Sequence, residues 1–396
     1  MNLKILEIKD KCTACGACVS VCPKDALSLE PDLHFGFYYP QVNQEKCIEC
    51  HLCEKTCHVI SDVKGAFTER KAYMLKANDK KLLKQSSSGG AFSLLAEDVL
   101  KEGGIVYGAA YDFEHEKLVE TSTDVVTIDE LRKSKYIESF CGNIFRDVEA
   151  KLKKGRTVMF CGTPCQIKGL SHYLAQRKCP TEQILLVQFL CHGVPANQFF
   201  TDYKHWLEKR CKGKITAMDF RSKKYGWRTP YYYYYYGTGS KTVRGDATYY
   251  MSAFFKYYML RDSCYGCTIF DQGFADITIA DFWGLFRYDK HNKDNEGVSL
   301  LIAHNDKALK AIGELKDVSL LKELPLSAID YTRKPHRHVQ ESLTRKKMME
   351  HEIAQQGYMP YMERILKKPV RKAMLKDRIA KILFALGIWK ISKSES

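Results

Sequence analysis

No stretch of this 396-residue chain approaches the roughly 18 consecutive apolar residues that a membrane-spanning helix needs, which excludes a helical transmembrane protein. The opening residues, MNLKILEIKD, contain no apolar core of the kind a secretory signal carries. Sixteen cysteines in a chain without such a leader are expected to stay reduced in the cytoplasm rather than to pair as disulfides. Acidic side chains are also short in number, 47 against 62 lysines and arginines, for a formal net charge of +15. That excess does not point to nucleic acid, because it is concentrated: residues 331–396 hold 16 Lys and Arg against 6 Asp and Glu, which is +10 of the +15. The rest of the chain is nearly balanced.

What the chain does have is cysteine at one particular spacing. Cys12, Cys15, Cys18 and Cys22 are followed by Pro23, and the run recurs as Cys47, Cys50, Cys53 and Cys57. Three thiolates spaced by two residues wrap three irons of one cubane, and a fourth, held off by three residues, points at the other cluster. On that rule Cys12, Cys15, Cys18 and Cys57 bind one 4Fe-4S centre, and Cys47, Cys50, Cys53 and Cys22 bind the second. A zinc ribbon needs only paired Cys-x2-Cys knuckles and leaves the third and fourth cysteines of each run unexplained. His58 stands where the second run is expected to have proline, which weakens the turn and leaves the ligand set intact. Gly16 suits the close packing of such loops, and Phe35–Pro40 reads as a short hairpin between two pseudo-equivalent halves. Residues 1–60 resemble the bacterial-type two-cluster ferredoxin domain, an α+β unit. Each oxidised cluster with four thiolates carries about two negative charges, so metallation lowers the formal +15 further. The cluster spacing also points to an anaerobic cell.

Residues 61–71 read as a polar linker and Ala72–Ala77 as the start of a new sheet. Gln85–Gly90 then precedes Phe92, Leu95, Ala96, Val99 and Leu100 at helical spacing. The serines are expected to cap that helix; alternatively, the same N–H groups, hydroxyls and glycines suit a phosphate or pyrophosphate. Leu131–Tyr136 carries a run of cations of the sort that is usually a solvated face. Thr157–Phe160 is a short buried strand, followed by Thr163 at the N-cap and Pro164 at the first position of a helix bearing Ile167, Leu170 and Leu174. Cys165 falls in its first turn, where the helix dipole favours a thiolate. A second buried strand, Ile184–Leu190, ends in Cys191-His192-Gly193 and leads to a helix with Phe199, Tyr203 and Trp206 on one face. The six tyrosines at 231–236 read as one arm of a structural hairpin rather than a nucleic-acid platform. Alternation of strand, turn and helix argues for an α/β domain with functional groups at the C-terminal ends of its strands.

Cys165, Cys191, Cys264 and Cys267 supply one further cubane's worth of ligands. The alternative is four core thiols packed as small hydrophobes. Cys161 rivals Cys165, but as the last strand residue it is expected to pack into the fold, and Cys141, Cys179 and Cys211 have no partner at cluster spacing. Clusters move one electron and most metabolic redox steps two, so a converter is needed, and a flavin is the usual one. The turn Ser87–Gly90 would take its pyrophosphate, with Arg132 or Lys135 as cationic partner. His192, Asp276 and Asp281 are candidates for proton handling, each with an equally good structural role, and the catalytic acid stays unassigned.

The segments SSSGGAFSLLAEDVL, RKSKYIES, GTPCQIKGL, CHGVP, FRSKKYGW and CYGCTIFDQGFADITIADFWG are similar to those of the coenzyme F-420 hydrogenase and dehydrogenase β-subunit family, over about residues 70–335. The resemblance implies an FAD-containing iron–sulfur oxidoreductase. It implies Cys165, Cys191, Cys264 and Cys267 as ligands of a flavin-proximal 4Fe-4S cluster, and Ser87, Ser88, Gly89, Gly90 and Lys135 as FAD contacts. Electrons would pass between ferredoxin-type clusters and a two-electron organic couple at FAD, for which the deazaflavin coenzyme F-420 is a candidate. The alternatives are an FAD- and ferredoxin-dependent reductase of a metabolite in a glycan or pigment pathway, and a non-enzymatic electron-transfer component of a larger complex. Expected partners are a soluble carrier (ferredoxin, deazaflavin or nicotinamide nucleotide) or a partner redox enzyme.

The expected layout is a ferredoxin domain at 1–60, a linker at 61–71, and an α/β flavin-binding domain with a further iron–sulfur site at 72–335. That domain is read as an N part of about 72–150 and a C part of about 155–335, and a helical basic tail follows at 336–396. In the tail Leu375, Ile379, Ile382, Leu383 and Leu386 recur at helical spacing among Arg371, Lys372, Lys376, Arg378 and Lys381. Such a helix would pack on the body, dock an acidic electron-transfer partner or lie on an anionic membrane.

Overall fold

The computed structural model describes residues 3–33, 35–61, 63, 65–237, 239–290, 295–332 and 349–387. In the cysteine-rich region, strands β1 (Leu27–Pro31) and β2 (Tyr38–Val42) pair antiparallel. The hairpin expected at Phe35–Pro40 is therefore shifted: that stretch holds the end of the loop and half of the second strand, and the first strand lies upstream. Short helices Ala17–Val21 and Leu52–Thr56 follow the second cysteine of each run. The repeat extends to the backbone, since Ala14 and Glu49, and likewise Gly16 and His51, all have positive φ, at 52°, 49°, 81° and 56°. These left-handed residues curl each Cys-x2-Cys segment so that successive thiols converge.

His58 does more than fill the missing proline's place. Its ring is buried and lies 2.9 Å from the Thr13 hydroxyl, tying the end of the second run to the start of the first. Burial, with Lys168 and His172 nearby, lowers its pKa to about 3, so the ring is neutral.

Twelve further strands build the body: β3 (Lys71–Ala77), β4 (Ile105–Asp112), β5 (Lys117–Ser122), β6 (Ser139–Phe140), β7 (Val158–Gly162), β8 (Ile184–Phe189), β9 (Ile215–Ser222), β10 (Tyr231–Tyr236), β11 (Gly239–Arg244), β12 (Ile277–Asp281), β13 (Ser299–Ala303) and β14 (Val318–Leu324). One nine-stranded sheet runs β14-β3-β13-β12-β8-β7-β4-β5-β6. Its centre, β12-β8-β7-β4, is parallel, and β13, β3, β14 and β5 join antiparallel. Every residue of β7 and β13 is buried, as strands covered on both faces require. Within the expected 72–335 domain, β3 inserts between β13 and β14, so strands of its N and C parts share one sheet. The second sheet has the order β11-β10-β9. The tyrosine run β10 is its middle strand, and Tyr232 and Tyr234 are buried against Tyr203 and Tyr250 in the largest core.

The ferredoxin region is docked on this body rather than tethered to it. Arg146 donates to the carbonyls of Ser20 and Cys22 and pairs with Asp25. Two residues of the expected linker are packed on the body too. Phe67 stacks on His304 at 4.4 Å, and a Cβ on Gly65 would come within 2.4 Å of the Gly273 carbonyl oxygen. The expected tail falls partly outside the described residues, at 336–348 and 388–396. Its long helix, Tyr358–Ala385, buries Met362, Leu366 and Val370 in the main core. Tyr358 stacks on Phe199 and donates to the Phe35 carbonyl.

Candidate redox site

Twelve of the sixteen cysteines line three separate cavities. Cys12, Cys15, Cys18 and Cys57 share one. Cys22, Cys47, Cys50 and Cys53 share another. Cys165, Cys191, Cys264 and Cys267 share a third, with Thr13, Thr163, His192, Arg261 and Ser263. Cys57 thus lies with the first three thiols of the first run, and Cys22 with those of the second. Four thiols around one void are a donor set suited to a 4Fe-4S cube.

The third cavity sits at the C-terminal ends of the parallel strands, where open sheets collect ligands. Cys165 follows β7, Cys191 follows β8, and Cys264 and Cys267 precede β12. Thr163 caps the helix Pro164–Gln176 through a full capping box with Gln166, which fixes the angle at which Cys165 leaves the helix. Burial outweighs the helix end and the Thr163 hydroxyl, and with Cys267 nearby it pushes the Cys165 thiol up to about 11. Cys191 rises to about 12 for the same first reason. As free groups these are protonated thiols, and only a bound cation would hold them as thiolates. Cys161 is buried beside Glu120 and Lys135 and does not line the cavity.

The first and third cavities are in contact. Thr13 lines both. The Cys12 carbonyl accepts from Ser263 Oγ at 3.0 Å and from Arg261 at 3.2 Å, the residues flanking the Cys264 knuckle. On the other side Cys15 packs directly on Gly169 of the helix that carries Cys165. The third link is the buried Arg261–Glu138 pair, in which Arg261 also donates to the Tyr38 carbonyl and lies over Phe37 and Tyr39. Sequence reasoning missed Gly169, Ser263, Arg261 and Glu138, although the first three sit within residues of predicted ligands.

The expected flavin turn is placed differently from its reading. The serines do not cap the helix Ala91–Lys101, whose N-cap is Gly90 in the left-handed region. Ser88 donates to the Val298 carbonyl at 2.6 Å, and the Gly89 N–H donates to Ser299 at 2.9 Å. A Cβ on Gly89 would meet the Leu75 carbonyl oxygen at 2.2 Å, so this glycine serves the β3–β13 packing. The Ser88 hydroxyl and the Gly89 N–H are thus engaged within the protein. Ser87 accepts from the Ser134 N–H, and the Lys135 ammonium donates to the Arg132 carbonyl at 2.7 Å. The cation run Leu131–Tyr136 is not a solvated face either: Arg132 is buried and paired with Glu97 and Asp129. Burial lowers Lys135 to about 8 and raises the neighbouring Glu120, bonded by Ser139 and Gln166, to about 7.

Of the proton-handling candidates, Asp276 accepts from Leu186 N–H and Asn305 and pairs with Lys307, a structural assignment. Asp281 pairs with Arg221 and accepts from Trp227, whose ring stacks on Trp283 at 5.0 Å. His192 lines the third cavity.

Residues 155–328 match the family model for the C terminus of the beta subunit of coenzyme F420 hydrogenase/dehydrogenase, and residues 11–60 match a 4Fe-4S dicluster domain. Over these residues the chain is similar to that β-subunit family. A relative is one of the subunits of the F(420)H(2) dehydrogenase of Methanosarcina mazei, 23% identical over 296 residues, covering 70% of this chain and 78% of that protein. The ferredoxin-like protein in the nif region of Azotobacter vinelandii is 43% identical over 68 residues, covering 17% of this chain and 64% of that protein. Among solved structures, a chain of the xenon-derivatized F420-reducing NiFe hydrogenase complex from Methanosarcina barkeri matches with a TM-score of 0.41 and 16% identity, covering 73% of this chain and 91% of that one. The dicluster match supports 4Fe-4S cluster binding in the ferredoxin region. Among the described residues no helix is long and apolar enough to cross a membrane.

Proposed function

We propose that the chain is a cytoplasmic iron–sulfur flavoprotein oxidoreductase, in which three 4Fe-4S clusters connect a one-electron carrier to a two-electron organic couple at FAD. The observation that carries this reading is the sorting of twelve cysteines, drawn from two contiguous runs and three separate later segments, into three cavities of four. Cys50 is exposed, which suits exchange with a carrier or partner enzyme. The Cys12, Cys15, Cys18 and Cys57 site lies between that entry and the Cys165, Cys191, Cys264 and Cys267 site.

Bound FAD would convert single electrons to pairs. Ser87 and Lys135 are the contacts we retain for it; Arg132 is spent on its own ion pairs. The name of the Methanosarcina mazei relative favours a deazaflavin of the F-420 type as the organic couple and a partner redox enzyme as the second participant. A second reading, a non-catalytic electron-transfer component of a complex, is favoured by the internally satisfied Ser88–Gly90 turn.

Anaerobic purification separates the two. The first reading expects FAD and about twelve irons per chain from three cubanes. Absence of flavin leaves the second. Cys264→Ala should remove about four irons and uncouple flavin from the ferredoxin clusters, and an unchanged iron content would remove the third cluster from the proposal. Whichever of reduced deazaflavin, nicotinamide nucleotide and reduced ferredoxin bleaches the flavin fastest identifies the partner.

A further inference from the structure

The helix Tyr358–Ala385 has two apolar faces, and the body uses only one. Leu366, Val370, Ala373 and Ala380 are buried against it, and Asp377 on the same face is buried and paired with Lys381. On the opposite side Leu375, Ile379, Ile382 and Leu386 follow one another at intervals of four, three and four residues, which aligns them in a single stripe. They are 60%, 48%, 57% and 65% exposed. Exposed Arg371, Lys372, Lys376 and Arg378 border the stripe, and none of them has an ion-pair partner among the described residues. Across residues 364–387 there are eight lysines and arginines and one acid, the buried Asp377.

We infer that this outer face is a docking surface for an anionic lipid membrane, on which the helix lies in the interfacial plane. An acidic protein would match the cations without calling for four exposed aliphatic side chains, and an apolar protein groove would match the aliphatics without the cations. The boundary between anionic headgroups and acyl chains takes both at once. The helix is anchored to the main core along its inner face, so the body, with its clusters, would ride on the membrane surface as a peripheral protein.

The test uses the full chain, cluster-loaded, in co-sedimentation with vesicles of phosphatidylglycerol and phosphatidylcholine in equal parts, and with vesicles of phosphatidylcholine alone. Binding is expected to the mixed vesicles and to weaken with salt as the charges are screened. Arg371→Gln, Lys372→Gln and Lys376→Gln together should lower partitioning about a hundredfold, at roughly fivefold per cation. Ile379→Ser with Ile382→Ser should lower it by more than about tenfold through lost apolar burial. All five side chains are exposed, so the cluster absorbance of both variants should equal that of the parent. No binding to the mixed vesicles, equal binding to pure phosphatidylcholine, or binding indifferent to the isoleucine changes would each overturn the inference. Capture of an acidic ferredoxin in place of vesicles would overturn it in favour of a protein partner.

Discussion

Gly169→Ala tests whether the ferredoxin region and the body are joined through one close contact. Gly169 lies in the middle of the helix Pro164–Gln176, where exchanging glycine for alanine ordinarily gains about 1 kcal/mol. Here the new methyl would stand 2.7 Å from Cys15 Sγ and 2.9 Å from Cys15 Cβ, with the Phe145 ring at 3.6 Å on another side. Non-bonded carbons prefer about 3.5–4.0 Å, so something must move by about 1 Å. The Cys15 loop has little room to yield. Gly16 beside it is in the left-handed region, and a Cβ there would meet Cys141 Cβ at 2.8 Å. Overpacking of this kind costs about 1–3 kcal/mol, which outweighs the gain in helix propensity.

The cluster should suffer more than the fold, because metal–ligand distances tolerate only about 0.2 Å. Anaerobically purified Gly169→Ala is expected to lose about four of twelve irons, those held by Cys12, Cys15, Cys18 and Cys57, and to melt lower than the parent. Gly313→Ala is the control, since nothing stands within 4 Å of its Cβ position in the helix Asp306–Gly313, and it should be neutral or slightly stabilising. A Gly169→Ala chain with full iron content and a raised melting temperature would refute the contact argument.

Arg261→Met should destabilise the chain by about 3–5 kcal/mol in anaerobic denaturant titration, because it strands Glu138 in the core without its partner. Adding Glu138→Gln should recover a substantial part of that loss, and a double variant no more stable than the single one would show that the pair's charge is not the cause. His304 is buried and bonded to Thr278, and burial, with Arg70 nearby, lowers its pKa to about 3. The folded state thus disfavours the imidazolium, and its contribution is complete above the unfolded value of about 6.5 and is lost as pH falls toward 3. From pH 6.5 to 5 the loss is about 2 kcal/mol at 1.36 kcal/mol per pH unit. His304→Asn should flatten that slope, and equal slopes in the two chains would assign the acid sensitivity to other groups.

The cysteine spacing made the ferredoxin region legible because ligand chemistry dictates it residue by residue. The capping box at Thr163 and the strands around it were legible for a similar local reason. What escaped was long-range. The insertion of β3 between β13 and β14 depends on contacts more than 220 residues apart along the chain, and no local pattern announces them. The Ser-Ser-Ser-Gly-Gly turn misled because small residues serve backbone packing and ligand binding equally well, and only the Leu75 and Val298 carbonyls against it decide between them. For Cys165 the helix end was legible, and the depth of burial that raises the free thiol's pKa was not.

The same long-range contacts explain why a ferredoxin fused to this body differs from one on a flexible linker. Electron tunnelling falls off exponentially with distance, so a tethered carrier would spend most of its time too far from its acceptor. Here Arg146 grips the carbonyls at the end of the first run, while Arg261 and Ser263 grip the Cys12 carbonyl from the knuckle that presents Cys264. Because the ligand loop of one site and the ligand knuckle of the next share a hydrogen-bond acceptor, their separation is set by the fold and not by diffusion. The buried Arg261–Glu138 pair adds no net charge at this junction, so it orients the two loops without placing an uncompensated charge between them. The packed segment at 65–71 then needs no slack, which accounts for Phe67 and Gly65 being pressed against His304 and Gly273.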